Sequence, residues 1–313
     1  MSELVVVALG GNALQQGKGP ADADSQLQVV RQTAAQLVEI LKAGHQLAVV
    51  HGNGPQVGRI VLQNEAAANI TPPMPFDVCG AMSQGMIGYH IQQALGECMA
   101  EAGLPGQPVT LVSQVLVDAG DPAFTNPTKP IGPFYTEEEA QAIAQEKGYT
   151  MKEDAGRGWR RVVASPQPLA IVELPQVKTL LDAGFVPIAA GGGGVPVTRQ
   201  GKGYRGIAAV IDKDLAAWRM AASLGAKTLL ILTEVEQACL YYGRPEQQAL
   251  GTVSAEQMRT YMGEGHFAAG SMGPKVEAAL RFVEGGACRT AVITSLDKAV
   301  EGAQGFAGTI IKS

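Results

Sequence analysis

The sequence of 313 residues is short of aromatics, at 5%, and of charge, with Asp, Glu, Lys and Arg together at 17%. It has no basic excess: 24 Lys and Arg face 29 Asp and Glu, a formal charge of −5. Nucleic-acid binding requires Lys and Arg stripes to neutralise phosphates, so that class is set aside. No apolar run approaches the ~20 residues that a membrane-spanning helix needs. Met1-Ser2-Glu3 offers no basic lead into an apolar segment, so no secretory signal is expected. Cys79, Cys98, Cys239 and Cys288 stand far apart without C-x-x-C and read as reduced thiols of a cytoplasmic protein. The four histidines form no H-E-x-x-H or Cys/His cluster, which excludes a structural zinc site. With 46% hydrophobic residues, disorder is excluded as well.

What is plentiful is glycine, 39 residues, placed behind apolar runs. Leu4 to Leu9 is a continuous apolar run ending in Gly10-Gly11-Asn12, and Leu47 to His51 is another ending in Gly52-Asn53-Gly54-Pro55. Unbroken apolar runs describe strands buried on both faces. Between them, Ser25 to Ala43 repeats apolar residues at helical spacing and stops at Gly44. Further helices are expected near 81–102, 175–183, 213–224, 254–262 and 274–285. Strands are expected at 109–117, 186–190, 207–211, 228–232, 290–294 and 308–312. Strand–helix alternation means a mainly parallel sheet with ligands at the carboxyl ends of its strands. Asp118 to Pro168 breaks the rhythm: it is polar and turn-rich, with a charged helix near Thr136–Lys147, and reads as an inserted, projecting subdomain. Length favours about two domains, and the boundary is drawn in the polar stretch Thr198–Gly206.

Three glycine loops after strands, at Gly10–Asn12, Gly52–Gln56 and Gly191–Gly194, suit a polyanion. Glycine lets backbone N–H groups approach an anion, and a following helix N-terminus adds its dipole. Each loop taken singly is as well explained as an ordinary turn. No P-loop, G-x-G-x-x-G or protein-kinase signature is present, so a nicotinamide dehydrogenase recedes. Asp212-Lys213-Asp214 follows an apolar run; its carboxylates could hold the lysine, coordinate Mg²⁺ or cap a helix. Lys275 sits at a helix start, where the dipole disfavours a cation unless something else demands it. Lys129, in a proline-stiffened turn, reads by its own chemistry as a surface residue, and His51 and His266 read as structural.

Seven segments together resemble the signatures of carbamate kinases. They are Ala8–Ala13, His51–Gly58, Asn126–Gly132, Glu153–Val163, Gly191–Gly194, Ala209–Asp214 and Gly270–Lys275, in order along the chain. The resemblance implies the amino-acid kinase fold, a three-layer αβα sandwich with a mainly parallel central sheet and a small protruding subdomain at about 118–168. It implies an N-terminal carbamate lobe (1–200) and a C-terminal nucleotide lobe (201–313). The implied catalytic residues are Lys129 on a lid, Lys213 and Lys275 on phosphates, and Asp212 and Asp214 beside them. Gly10, Gly11, Asn12, Gly52, Asn53 and Gly54 would hold carbamate or the moving phosphoryl group. Gly191, Gly192, Thr233, Tyr242 and Met272 would join Lys213 and Lys275 around the nucleotide. ATP or ADP with Mg²⁺ held mostly through the phosphates and by Asp214, a cytoplasmic homodimer and arginine or related nitrogen catabolism are implied too. Glu234 and Gly273 depart from the pattern, where a small residue and a leucine are expected. The alternatives are a paralogue acting on another small carboxylate and a non-catalytic nucleotide or metabolite sensor.

Overall fold

The computed structural model describes residues 3–14, 22–154 and 156–313. Eight strands make the central sheet. From one edge they are Thr252–Ser254, Thr309–Lys312, Thr290–Ser295, Thr228–Thr233, Leu4–Leu9, Gln46–His51, Val186–Ile188 and Pro108–Thr110. All neighbours pair in parallel except Thr290–Ser295 with Thr309–Lys312.

The helices are α1 (Ala23–Lys42), α2 (Gly54–Ala66), α3 (Phe76–Glu101), α4 (Glu137–Lys147), α5 (Leu174–Asp182), α6 (Lys213–Leu224), α7 (Ala255–Gly263), α8 (Met272–Glu284) and α9 (Ala299–Ala303). Alternation along the first strand sets the layers. Val5, Val7 and Leu9 pack with Leu37 of α1, Ile91 and Leu95 of α3 and Ala299 of α9. Val6 and Ala8 face Leu215 and Met220 of α6 and Val276 and Phe282 of α8. Both faces are covered, so the strand must be apolar at every position. This is the expected αβα sandwich. No helix among the described residues is long and apolar enough to cross a membrane.

Two strand expectations change. The run 109–117 splits: Pro108–Thr110 joins the central sheet, while Gln114–Leu116 joins a second sheet with Ala170–Ile171, Val195–Gln200 and Gly203–Gly206. The break lies at Ser113, whose backbone N–H donates to Gln84 Oε1 at 2.8 Å while its carbonyl accepts from Gln84 Nε2 at 3.0 Å. The Gln84 amide of α3 takes the Ser113 N–H, and the Ser113 carbonyl is shared between Gln84 and the Val195 N–H of the second sheet at 2.9 Å, so the chain passes from one sheet to the other here. Residues 207–211 form no ladder; Ala209, Val210 and Ile211 are buried as extended coil leading into α6. The stretch Thr198–Gly206, expected as a boundary, lies in an antiparallel hairpin, and the central sheet runs through both halves of the chain.

Within the inserted segment, Lys129–Tyr135, Trp159–Val163 and Met151–Glu153 form a separate antiparallel sheet. It docks on α2. An added Cβ on Gly58 would lie 2.1 Å from the Gly132 Cα, so the two backbones touch. Alongside, Glu65 of α2 accepts from Lys147 at 2.6 Å and from the Tyr149 hydroxyl, with Arg161 at 3.8 Å.

Candidate active site

Lys213 and Asp214 begin α6, and Asp212 is its N-cap, with Oδ1 accepting from the Asp214 N–H at 2.8 Å. The other Asp212 oxygen lies 2.5 Å from Lys129 Nζ, carried in by the first residue of a subdomain strand. Asp214 receives Lys213 on Oδ1 at 2.5 Å and Lys275 on Oδ2 at 3.3 Å. Lys275 also donates to the Ser271 carbonyl at 3.3 Å, so its ammonium turns back from α8 toward the cluster. Three lysines from three separate segments thus meet two buried carboxylates, leaving one positive charge in excess. The cap and charge-holding readings of Asp212 hold together. The surface reading of Lys129 does not.

The electrostatics follow from burial. Desolvation pushes the Lys213 ammonium below its ordinary value although Asp214 pulls the other way. Burial would also lower Lys275, but Asp214, Asp212 and Glu234 together hold it above the ordinary lysine value. Burial would raise Asp212, yet Lys129, Lys213 and Lys275 hold its carboxyl well below the usual range.

Lys213 and Lys275 also line a cavity of about 1000 Å³ that holds Gly10, Gly11, Thr233, Tyr242 and Met272 in its wall. Glu234 is there too, in the nucleotide lobe where the resemblance puts it, with Asp297, Val29 and Gln32, which sequence reasoning had not proposed as contacts. For Val29 and Gln32 no signal existed, because they lie on the cavity side of an ordinary amphipathic helix. Gly273 is buried at the start of α8; an added Cβ would come 3.0 Å from the Ala268 carbonyl, so a larger residue there needs the preceding turn to give by a few tenths of an ångström.

The glycine loops divide by role. Gly10 N–H donates to the Leu232 carbonyl and Gly52 N–H to the Leu9 carbonyl, both at 3.2 Å, so these expected anion donors serve the strand ends. Gly52 instead makes room for Lys213: an added Cβ would sit 3.3 Å from the lysine Cδ. Gly54 opens α2, whose N-cap Asn53 makes no side-chain cap and donates to Ser83 Oγ at 2.8 Å. The Asn53 side chain therefore caps none of the first-turn N–H groups of α2. Gly191 and Gly192 are not in the cavity wall. Added Cβ atoms there would strike His51 Nε2 at 2.2 Å and Asn53 Nδ2 at 2.1 Å, so packing against the second glycine loop accounts for them. The Asn12 side chain lies outside the described positions.

Magnesium was expected at Asp214. Among the described residues no group of three or more His, Cys, Asp or Glu side chains could hold a metal ion. Both Asp214 oxygens already face ammonium groups. The Asp214 carboxylate is thus engaged by two lysines.

A mainly parallel αβα sandwich with a lysine-lined cavity at its strand ends defines a phosphoryl-transfer class. The profile of the amino acid kinase family matches residues 3–294, and the chain belongs to that family. Its relatives carry a narrower name. It is 50% identical to the carbamate kinase of Pyrococcus horikoshii over 99% of each chain. It is equally 50% identical, over 99% of each, to the carbamate kinase-like protein YqeA of Escherichia coli. The solved carbamate kinase from Giardia lamblia bound to AMP-PNP superimposes with a TM-score of 0.91 at 48% identity, covering 99% of this chain and 98% of that one. Function and enzyme class follow: this is a carbamate kinase, a phosphotransferase.

Proposed function

We propose that the chain transfers a phosphoryl group reversibly between carbamoyl phosphate and ADP, giving carbamate and ATP, where the large cavity meets the lysine–aspartate cluster. The observation that carries this placement is the convergence of Lys129, Lys213 and Lys275 on Asp212 and Asp214. Such transfer needs positioning and charge neutralisation and little covalent help. The obstacle is repulsion between an anionic nucleophile and an anionic phosphate, about 4 kcal/mol per pair of unit charges ~4 Å apart at an effective dielectric of ~20. Lys213 and Lys275 offset it from the cavity side, and Asp214 keeps both ammonium groups aimed. Lys129 offsets it from the subdomain side, aimed by Asp212. The dipole of α2 adds a fixed partial charge.

The nucleotide occupies the cavity as ADP or ATP, which the AMP-PNP complex of the Giardia enzyme supports. Mg²⁺ would be held mostly by the nucleotide's phosphates, with Asp214 nearby. Carbamate, too small to be read by many contacts, would sit beside the lysine–aspartate cluster near Gly54, Asn53 and Lys129, which do not line the cavity itself.

A homodimer through α3 is part of the same reading. Val78, Met82 and Tyr89 stand exposed on one stripe of this helix, a spacing that puts them on a single face. An added Cβ at Gly206 would strike Asp77 at the start of α3, so the hairpin bearing exposed Tyr204 lies alongside. A cytoplasmic place in nitrogen catabolism agrees with four unpaired cysteines.

The deciding experiment is ATP formation from carbamoyl phosphate and ADP with Mg²⁺. Turnover supports the reading; none with carbamoyl phosphate but turnover with another acyl phosphate would favour the related-carboxylate alternative.

A further inference from the structure

Among the described residues, the protruding subdomain enters the cavity wall at Arg157. This residue occupies the turn between Met151–Glu153 and Trp159–Val163, beside Gly156 and Gly158 at φ 73° and 124°. Its guanidinium donates to Asp154 Oδ1 at 3.0 Å and lies 5.2 Å from the centre of the Phe134 ring. Asp154 has a second partner. Its other oxygen accepts from Arg160 at 3.2 Å, and Arg160 also donates to the Gly132 carbonyl at 2.9 and 3.1 Å.

The two arginines differ in what they can give up. The Arg160 side chain is 12% exposed and ties the subdomain's own strands together. The Arg157 side chain is 63% exposed and is held by one carboxylate that already neutralises Arg160. An exposed ion pair of this kind is weak. Arg157 is thus a cation in excess, cheaply released, facing the cavity that also holds Lys213, Lys275, Gly10 and Gly11. A guanidinium matches phosphate oxygens in a planar fork, as a lone ammonium does not.

We propose that Arg157 binds a phosphate beyond the α position of the nucleoside di- or triphosphate in the cavity, so that nucleotide occupancy draws the subdomain in. The mechanical link is direct. Arg157 leads into Trp159–Val163, and that strand pairs through Val163 with Lys129, the subdomain's lysine in the cluster. The inference rests on the nucleotide reading of the cavity and goes beyond it by giving the subdomain its own hold on the nucleotide.

Calorimetric titration of ADP and AMP into the parent, Arg157→Ala and Arg157→Lys tests this without any chemistry occurring. Loss of one charge-assisted phosphate contact should weaken ADP about 10-fold in Arg157→Ala, and less in Arg157→Lys, which keeps the charge but not the fork. AMP, lacking a second phosphate, should bind all three alike. Unchanged ADP affinity in Arg157→Ala overturns the proposal, as does an equal loss for AMP and ADP, which would mark a contact to the nucleoside or a loosened subdomain. A parent that binds neither nucleotide overturns it too. A parent that binds ADP but makes no ATP would fail the proposed reaction while leaving Arg157's role standing.

Discussion

Lys213 is the most demanding residue of the site, because it is a buried cation with a depressed affinity for its own proton. A phosphate beside it, as proposed, would favour the charged ammonium that burial disfavours. Lys213→Ala or Lys275→Ala should lower kcat by about two orders of magnitude, as removal of preorganised charge stabilisers commonly does. Steady-state turnover of folded variants checks this, and near-parental kcat would remove the residue from the transition state. His51 is a further buried titratable group, on the strand that leads into the second glycine loop. Burial pushes it from 6.5 down to about 4, against a weak opposing pull from the Gly52 carbonyl at 2.8 Å. Between those two pH values the unfolded chain takes up a proton that the folded chain refuses. Stability is therefore whole above about 6.5 and falls as pH drops towards 4, by roughly 3 kcal/mol from this residue. Denaturant melts at pH 7 and 4.5 should show a shallower loss for His51→Asn; equal losses would clear His51 of the effect.

Elements were legible where their signal was local and broke down where a distant group intervened. The first two strands and the glycine stops behind them follow from unbroken apolar runs. The charged helix of the insertion has its Thr136–Glu139 capping box and ends at Gly148. The run 109–117 looked like one strand, and it divides at Ser113, where Gln84 of α3 holds the N–H and the carbonyl is shared between Gln84 and Val195 of the second sheet. Nothing within the run itself carries that information. The contact of α2 with the subdomain has the same character. Gly58 looked like part of a glycine-rich loop motif, yet it serves an approach of two backbones at Gly132. Gly58→Ala should force that seam apart. Overpacking costs on the order of 1–3 kcal/mol, and the displaced Lys129 should raise KM for carbamoyl phosphate more than KM for ADP. Thermal melts together with both KM values test it; parental values throughout would mean that the seam yields freely.

At the scale of the whole molecule, the sandwich leaves one long helix only partly covered. If the exposed stripe of α3 is the dimer surface, light scattering should give twice the chain mass of 32.6 kDa. Met82→Glu, a charge set into that stripe, should shift the protein towards the single-chain mass at the same concentration. A parent that runs as a monomer would leave the stripe without this role.

The linear chain determined the class of fold by itself. Apolar periodicity and glycine placement act between neighbours a few residues apart, and those forces are readable one window at a time. The motif lysines were visible too, but their joint purpose was not: Lys129 is 83 residues from Asp212, and Lys275 is 61 from Asp214. Only the tertiary structure decided that these charges share one desolvated space, with carboxylates between the lysines and a subdomain arginine at the cavity wall. Coulomb energy depends on separation and dielectric, and neither exists until the chain has folded.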